Sequence, residues 1–153
     1  MSKKYQEIYL IAYNIRSLFN VGALFRTADV FGVTKAYLTG YTGAPPRREI
    51  AKVALGAEAW IAWEKKFQTA AVIKDLQRQG VQVLALEISK HSKALPKFKP
   101  RFPVALLVGN EVTGLPKRLL DLVDATVEIP MLGKKESLNV AVAAGIALYA
   151  LRS

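Results

Sequence analysis

Apolar positions along the chain follow two different periods. Glu7–Tyr13 (EIYLIAY), Lys35–Thr39 (KAYLT) and Val81–Glu87 (VQVLALE) are short runs rich in β-branched and aromatic residues, and they read as strands. Pro103–Val108 (PVALLV) is apolar without a break, as expected of a central parallel strand covered on both faces. Between these runs the period lengthens. A helix opens at Asn20-Val21-Gly22 and continues to about Phe31, with Ala23, Leu24, Ala28 and Phe31 at helical spacing and Gly32 as its stop. Ile50–Leu55 forms a short helical piece ending at Gly56, Ala59–Trp63 is apolar and strand-like, and Gln68–Gln79 is an amphipathic helix closed by Gly80. Pro116 suits the first turn of a further helix to about Leu122, because its missing N–H is not needed there. Val127–Ile129 is a β-type run stopped by Pro130. Strands alternating with helices predict an α/β fold with a mostly parallel sheet. No internal repeat or linker divides the 153 residues, so a single domain over 1–153 is expected.

The last stretch, Val127–Ser153, has few polar atoms. Ser137 is placed to start a helix of about fifteen residues, since a Ser before an apolar run can accept a bond from an unpaired backbone N–H. Leu138, Val140, Val142, Ile146, Leu148 and Leu151 cover all sides of that helix, which predicts burial. Ala141, Ala143, Ala144, Gly145, Ala147 and Ala150 let neighbouring backbones approach, with a second subunit as one candidate neighbour. Asn139 needs partners in such a wall, because an unpaired buried amide costs roughly 1–3 kcal/mol. Two readings stay open: a core helix with one satisfied amide, or part of a site.

Composition narrows the classes. Hydrophobic content of 52% with 22% charged residues describes a folded globule. No apolar run approaches the roughly 20 residues of a membrane span, and Lys3 and Lys4 lead into a strand-like run with Glu7, not a signal segment, so a cytoplasmic protein is expected. The absence of Cys excludes disulfides, thiolate metal sites and Cys nucleophiles, and a single His argues against a His-built metal site, so no metal is expected. A net charge of +10 points to a polyanionic partner, nucleic acid before membrane. Two loops concentrate that charge. Gly40–Glu49 is a Gly- and Pro-bearing loop with Arg47 and Arg48, long enough for a functional flap. Ser89–Arg101 carries Lys90, Lys93, Lys97, Lys99 and Arg101 without an acid and is expected to be irregular; it is either an electrostatic landing site or a solvated connection.

In open parallel sheets ligands bind beyond the carboxyl ends of the strands. Three polar loops fall at such ends: Asn14–Arg26, Gly109–Gly114 and Pro130–Asn139. Arg26 is either a snorkelling surface residue or a cation at a pocket mouth. Gly109-Asn110-Glu111 places a carboxylate after a buried strand, as a capped turn or as a functional group. GxGxxG, GxxxxGK[ST] and GxSxG are all absent, which weakens dinucleotide-binding, P-loop and hydrolase readings. His91 reads as exposed.

NVGALFRTADVFG (Asn20–Gly32), LLVGNEVTGLP (Leu106–Pro116) and IPMLGKKESLNVAVAAGIALY (Ile129–Tyr149) resemble, in order, the three motifs of the SpoU or TrmH-like branch of the SPOUT RNA methyltransferases. The resemblance covers about residue 8 to the C-terminus. It implies a Rossmann-like sheet whose C-terminal part is threaded into a deep trefoil knot, a topology that general rules argue against. It also implies S-adenosylmethionine as methyl donor, transfer to a ribose 2′-hydroxyl of tRNA or rRNA, and a homodimer through the knot-region helices. By motif match Leu86, Glu87, Gly109, Asn110, Ile129, Met131, Ser137 and Leu138 would surround the cofactor. Arg26 matches the family's catalytic arginine, and Asn20, Glu111, Ser137 and Asn139 match the polar residues around it. No separate RNA-binding domain of the kind many relatives carry is expected, so RNA contacts are expected at Arg16, Arg47, Arg48, Lys90, Lys93, Lys97 and Lys99. The competing readings are a non-catalytic RNA-binding protein that keeps the fold, and a small-molecule enzyme using a nucleotide cofactor.

Overall fold

A computed structural model describes residues 6–153. Within them the strands β1 (Ile8–Tyr13), β2 (Lys35–Thr39), β3 (Trp63–Lys66), β4 (Gln82–Leu86), β5 (Lys93–Ala94), β6 (Val104–Val108) and β7 (Ala125–Glu128) form one sheet in the order β3-β2-β1-β6-β4-β7-β5. Every strand pairing is parallel. The helices are α1 (Leu18–Val30), α2 (Arg48–Ala54), α3 (Thr69–Arg78), α4 (Lys117–Leu120) and α5 (Val140–Arg152).

Strand periodicity builds the core. β6 lies between β1 and β4 and is buried at every residue. Leu10, Leu106 and Leu84 stand side by side in register and pack with α1, α2 and α5 on one face. Their chain neighbours Ile11, Leu107 and Val83 point the other way and pack with α3 and α4. Helices thus cover both faces, which explains the unbroken apolar run of β6.

Several expected boundaries shift. α1 begins at Leu18, because the Ser17 hydroxyl accepts the Asn20 N–H at 3.2 Å and caps the helix; Asn20 lies inside the first turn and not at its start. α2 starts at Arg48, two residues before the expected Ile50. Ala59–Trp63 is not a strand. Ala57–Ala59 is a 3-10 turn entered through Gly56 at φ 96°, with the Trp60 indole donating to Asp29 at 2.7 Å, and the strand follows at Trp63–Lys66. Its residues Glu64, Lys65 and Lys66 are polar because β3 is an edge strand, and that hid it from a reading keyed to apolar runs. The basic loop Ser89–Arg101 is less irregular than expected, since Lys93 and Ala94 pair with β7 and Leu95–Lys97 forms a 3-10 turn. β7 begins at Ala125, where the Asp124 carboxylate accepts the Val83 N–H at 2.8 Å.

The largest correction concerns the C-terminal helix. Its cap is Asn139, not Ser137: the Asn139 Oδ1 accepts the N–H groups of Ala141 (2.9 Å) and Val142 (3.2 Å). Asn139 is exposed, so the amide expected inside a buried wall stands at its rim. One face of α5 (Ala144, Ala147, Leu148, Leu151) is buried, whereas Val142, Ile146 and Tyr149 are 51%, 42% and 65% exposed on the other.

Candidate active site

β1 and β2 run outward from the sheet centre in one direction, while β6, β4 and β7 occupy the other side, so the crevice between their carboxyl ends is where a parallel sheet offers a ligand site. A cavity of about 250 Å³ opens there. Leu86 and Glu87 come to it from the end of β4, Gly109 to Gly114 from the loop after β6, Ile129 and Met131 from beyond β7, and Ser137 and Leu138 from the approach to α5. All eight residues expected around a cofactor therefore line one cavity.

The loop after β6 is shaped by close approach. A Cβ on Gly109 would lie 2.8 Å from the Gly114 carbonyl carbon and 2.8 Å from Leu115 Cγ, so only glycine fits. Gly114 has φ +66° and faces Glu87, whose carboxylate accepts the Leu115 N–H at 2.9 Å and ties the loop to β4. Asn110 is buried with its side chain turned to the β1 side. Its Nδ2 donates to the Asn14 carbonyl (2.8 Å) and to the Tyr41 hydroxyl oxygen (2.7 Å), while its Oδ1 accepts the Val112 and Thr113 N–H groups at 2.8 Å each. Asn110 thus shapes the cavity through its loop, with its amide fully engaged elsewhere.

Glu111 joins the three loops picked out in the sequence. Its Oε1 accepts the Arg16 N–H at 2.9 Å, and its Oε2 accepts the Ser17 N–H at 3.0 Å and the Asn20 amide at 2.8 Å. Asn20 Oδ1 in turn accepts from Asn139 Nδ2 at 3.1 Å, and Asn139 caps α5. A carboxylate on the first turn of α1 is also favoured by the helix dipole. Burial alone would raise the Glu111 pKa, but the N–H groups of Arg16 and Ser17 and the Asn20 amide outweigh it and hold the carboxyl below its usual range. The contacts of Glu111 are those of a brace: from the loop after β6 it holds the start of α1.

Arg26, Asn20 and Asn139 line a neighbouring groove instead of the cavity. Phe19, Ala23, Val30, Val142, Ile146 and Tyr149 form its apolar walls between α1 and α5. Arg26 is exposed and has no hydrogen-bond or ion-pair partner among the described residues. The Ser137 hydroxyl is likewise exposed and unpaired among them.

A family model described as the SpoU rRNA methylase family matches residues 7–149. The chain belongs to that family. It is 31% identical over 150 residues to a tRNA (guanosine(18)-2′-O)-methyltransferase of Aquifex aeolicus, covering 97% of this chain and 70% of that protein. The A. aeolicus TrmH/SpoU tRNA modifying enzyme superposes with a TM-score of 0.87 at 29% identity, over 98% of this chain and 76% of that one. An rRNA methyltransferase of Sinorhizobium meliloti, solved with AdoMet bound, superposes with a TM-score of 0.85 at 32% identity, over 95% of this chain and 56% of that one. The chain spans between 57% and 76% of the length of such curated relatives.

Of the expected RNA contacts, Arg16, Arg47, Arg48, Lys90, Lys93, Lys97 and Lys99 are all exposed. Arg16 sits at the site through its backbone bond to Glu111, and Arg47 lies 3.9 Å from Glu49. Among the described residues no cluster of three or more His, Cys, Asp or Glu side chains could hold a metal ion, and no helix is long and apolar enough to cross a membrane. Sequence reasoning missed Ser17, Lys65 and the Asn14–Tyr41–Asn110 contacts. Lys65 donates to the carbonyls of Gly40 and Thr42, a role that a lysine in a polar run does not announce.

Proposed function

We propose that this protein transfers a methyl group from S-adenosylmethionine to a ribose 2′-hydroxyl of tRNA or rRNA. The observation that carries this reading is the meeting of the three family motifs: one cavity at the strand ends, and beside it a groove holding an unpartnered arginine.

The cavity suits the cofactor. Leu86, Val108, Ile129 and Leu138 give it apolar walls for a flat ring, and the carboxylates of Glu87, Glu128 and Glu136 suit a ligand that carries cationic groups. The cofactor, when bound, supplies a methyl group on a sulfonium, whose positive charge disappears in an in-line displacement. Gly109, Ile129, Met131, Ser137 and Leu138 would hold it, largely through backbone groups. The chain then has to align the acceptor and assist loss of its proton. Guanidinium groups in proteins do not serve as bases, so the role of Arg26 is that of a fixed donor. It holds the phosphate beside the target ribose and lowers the pKa of the hydroxyl, with that phosphate taking the proton. Glu111, Asn20 and Asn139 fix the helix that carries Arg26 relative to the cavity.

The exposed apolar face of α5, continuous with the groove, supports a homodimer through these helices. The same reading carries a trefoil-knotted C-terminal part, a single catalytic domain, a cytoplasmic location and an RNA footprint on the seven exposed cations. The test is incubation with labelled S-adenosylmethionine and total RNA, followed by mapping of the methylated nucleotide. Incorporation at a 2′-hydroxyl supports the proposal; no incorporation, with no calorimetric heat on adding cofactor, refutes it.

A further inference from the structure

The loop after β2 holds an exposed aromatic ring in place with an unusual number of polar contacts. Tyr41 is 57% exposed, yet its N–H donates to Asn14 Oδ1 at 3.0 Å and its hydroxyl oxygen accepts from Asn110 Nδ2 at 2.7 Å. The residues on either side are fixed as well. Lys65 donates to the carbonyls of Gly40 and Thr42, and the Thr42 hydroxyl accepts the Ile15 N–H at 3.0 Å and donates to the Ala12 carbonyl at 3.2 Å. Asn14 reaches Tyr41 from the left-handed region at φ 50°, which asparagine adopts more readily than other non-glycine residues. A Cβ on Gly40 would stand 1.8 Å from Asn14 Oδ1, so glycine is required for that reach. These contacts do not bury the ring, and among the described residues it has no aromatic or cationic stacking partner.

We infer that Tyr41 is a stacking platform for an unpaired base of the substrate RNA, next to the nucleotide that is methylated. Its hydroxyl is anchored to Asn110, a residue of the loop that lines the cofactor cavity, so a base on the ring sits at a set position relative to the reacting centre. Arg16 on the adjoining loop, Arg47 at the end of its own loop and Arg48 at the start of α2 are exposed cations suited to phosphates on either side. An aromatic ring set among cations is how single-stranded nucleic acid is gripped without base-specific hydrogen bonds. A ring already fixed before binding loses little freedom when the base arrives.

The inference rests on the RNA methyltransferase reading, and the experiment separates the two. An unmodified, in vitro transcribed tRNA pool serves as probe, with methyl transfer and fluorescence anisotropy read for wild type, Tyr41→Leu, Tyr41→Phe and Tyr41→Trp, and S-adenosylmethionine affinity read by calorimetry. Tyr41→Leu should weaken RNA binding and raise the RNA KM by about tenfold, within the range that base–aromatic stacking contributes. Its salt dependence and cofactor affinity should match wild type, because no charge is removed. Tyr41→Phe and Tyr41→Trp keep a ring and should stay within about threefold of wild type in RNA affinity. If Tyr41→Phe loses as much as Tyr41→Leu, the hydroxyl bond to Asn110 carries the effect and the platform is refuted. Unchanged RNA binding in Tyr41→Leu refutes it too, while wild-type methylation leaves the enzyme reading intact. A wild-type protein that methylates neither this pool nor total RNA overturns both.

Discussion

Replacing Glu111 separates a brace from a reacting group. Its carboxylate accepts the Arg16 N–H at 2.9 Å, the Ser17 N–H at 3.0 Å and the Asn20 amide at 2.8 Å. Hydrogen bonds to a charged group contribute about 1.5–3 kcal/mol each when buried. Glu111 is only half-buried, so water can take up part of what Glu111→Ala leaves unpaired, and the three bonds with the dipole of α1 should be worth about 3 kcal/mol together. In a chain of this length that lowers Tm by about 6–12 °C. The sign of the pH dependence follows from the depressed pKa: this stability is present above the usual carboxylate value of 4.5 and is lost as pH falls through the lower folded value. The Tm gap between wild type and Glu111→Gln should therefore be full at neutral pH and close in acid. Calorimetry at both pH values measures it, and a cycle with Asn20→Ala should show a coupling of about 0.5–3 kcal/mol. A Glu111→Ala protein that melts within about 1 °C of wild type but has lost kcat would refute the brace and return the carboxylate to the reaction.

Three further outcomes are expected. Arg26→Lys should lower kcat by about 10²-fold with S-adenosylmethionine affinity unchanged, because a lysine cannot reproduce the guanidinium fork and Arg26 does not line the cavity; near-normal turnover excludes a need for that fork. Gly109→Ala should abolish measurable cofactor binding by displacing the loop at Gly114, whereas Gly133→Ala, with nothing within 4 Å of its new Cβ, should bind as wild type; equal calorimetric affinities would contradict the packing argument. Val142→Asp combined with Ile146→Asp should convert a dimer to a monomer in light scattering, and an unchanged mass would place the subunit contact elsewhere.

What could be read from the sequence follows from which interactions are local. β1 and β6 were legible because burial on both faces writes itself into every residue of a strand, and the alternation of Leu10 with Ile11 is a property of the backbone. β3 was not, because Trp63–Lys66 sits at an edge and carries three charged residues in four. The cap of α5 was misplaced for a different reason. Ser137 and Asn139 are both good caps two residues apart, and Asn139, the one that caps, is also bonded to Asn20, 119 residues away in the chain. The eight residues that the motif resemblance assigns to the cofactor meet at one cavity. It did not show that Arg26 would stand in the groove beside them, because that depends on how α1 is pinned by Glu111.

The polar groups around the cavity divide into two sets, and the division bears on how the site works. Glu87, Asn110, Glu111 and Asn139 accept backbone N–H groups, and Asn20 links Glu111 to Asn139. These side chains are satisfied before any ligand arrives. Arg26 and Ser137 have no such partner among the described residues, and Arg26 sits on the helix whose start Glu111 holds. A donor that must first break an internal bond gives up part of its interaction with the substrate, whereas an unpaired donor on a fixed backbone does not. Substitutions in the satisfied set should therefore act through stability and loop geometry. Substitutions of Arg26 and Ser137 should act on the reaction with little change in folding, and Tyr41, anchored by its edge with its ring exposed, combines the two.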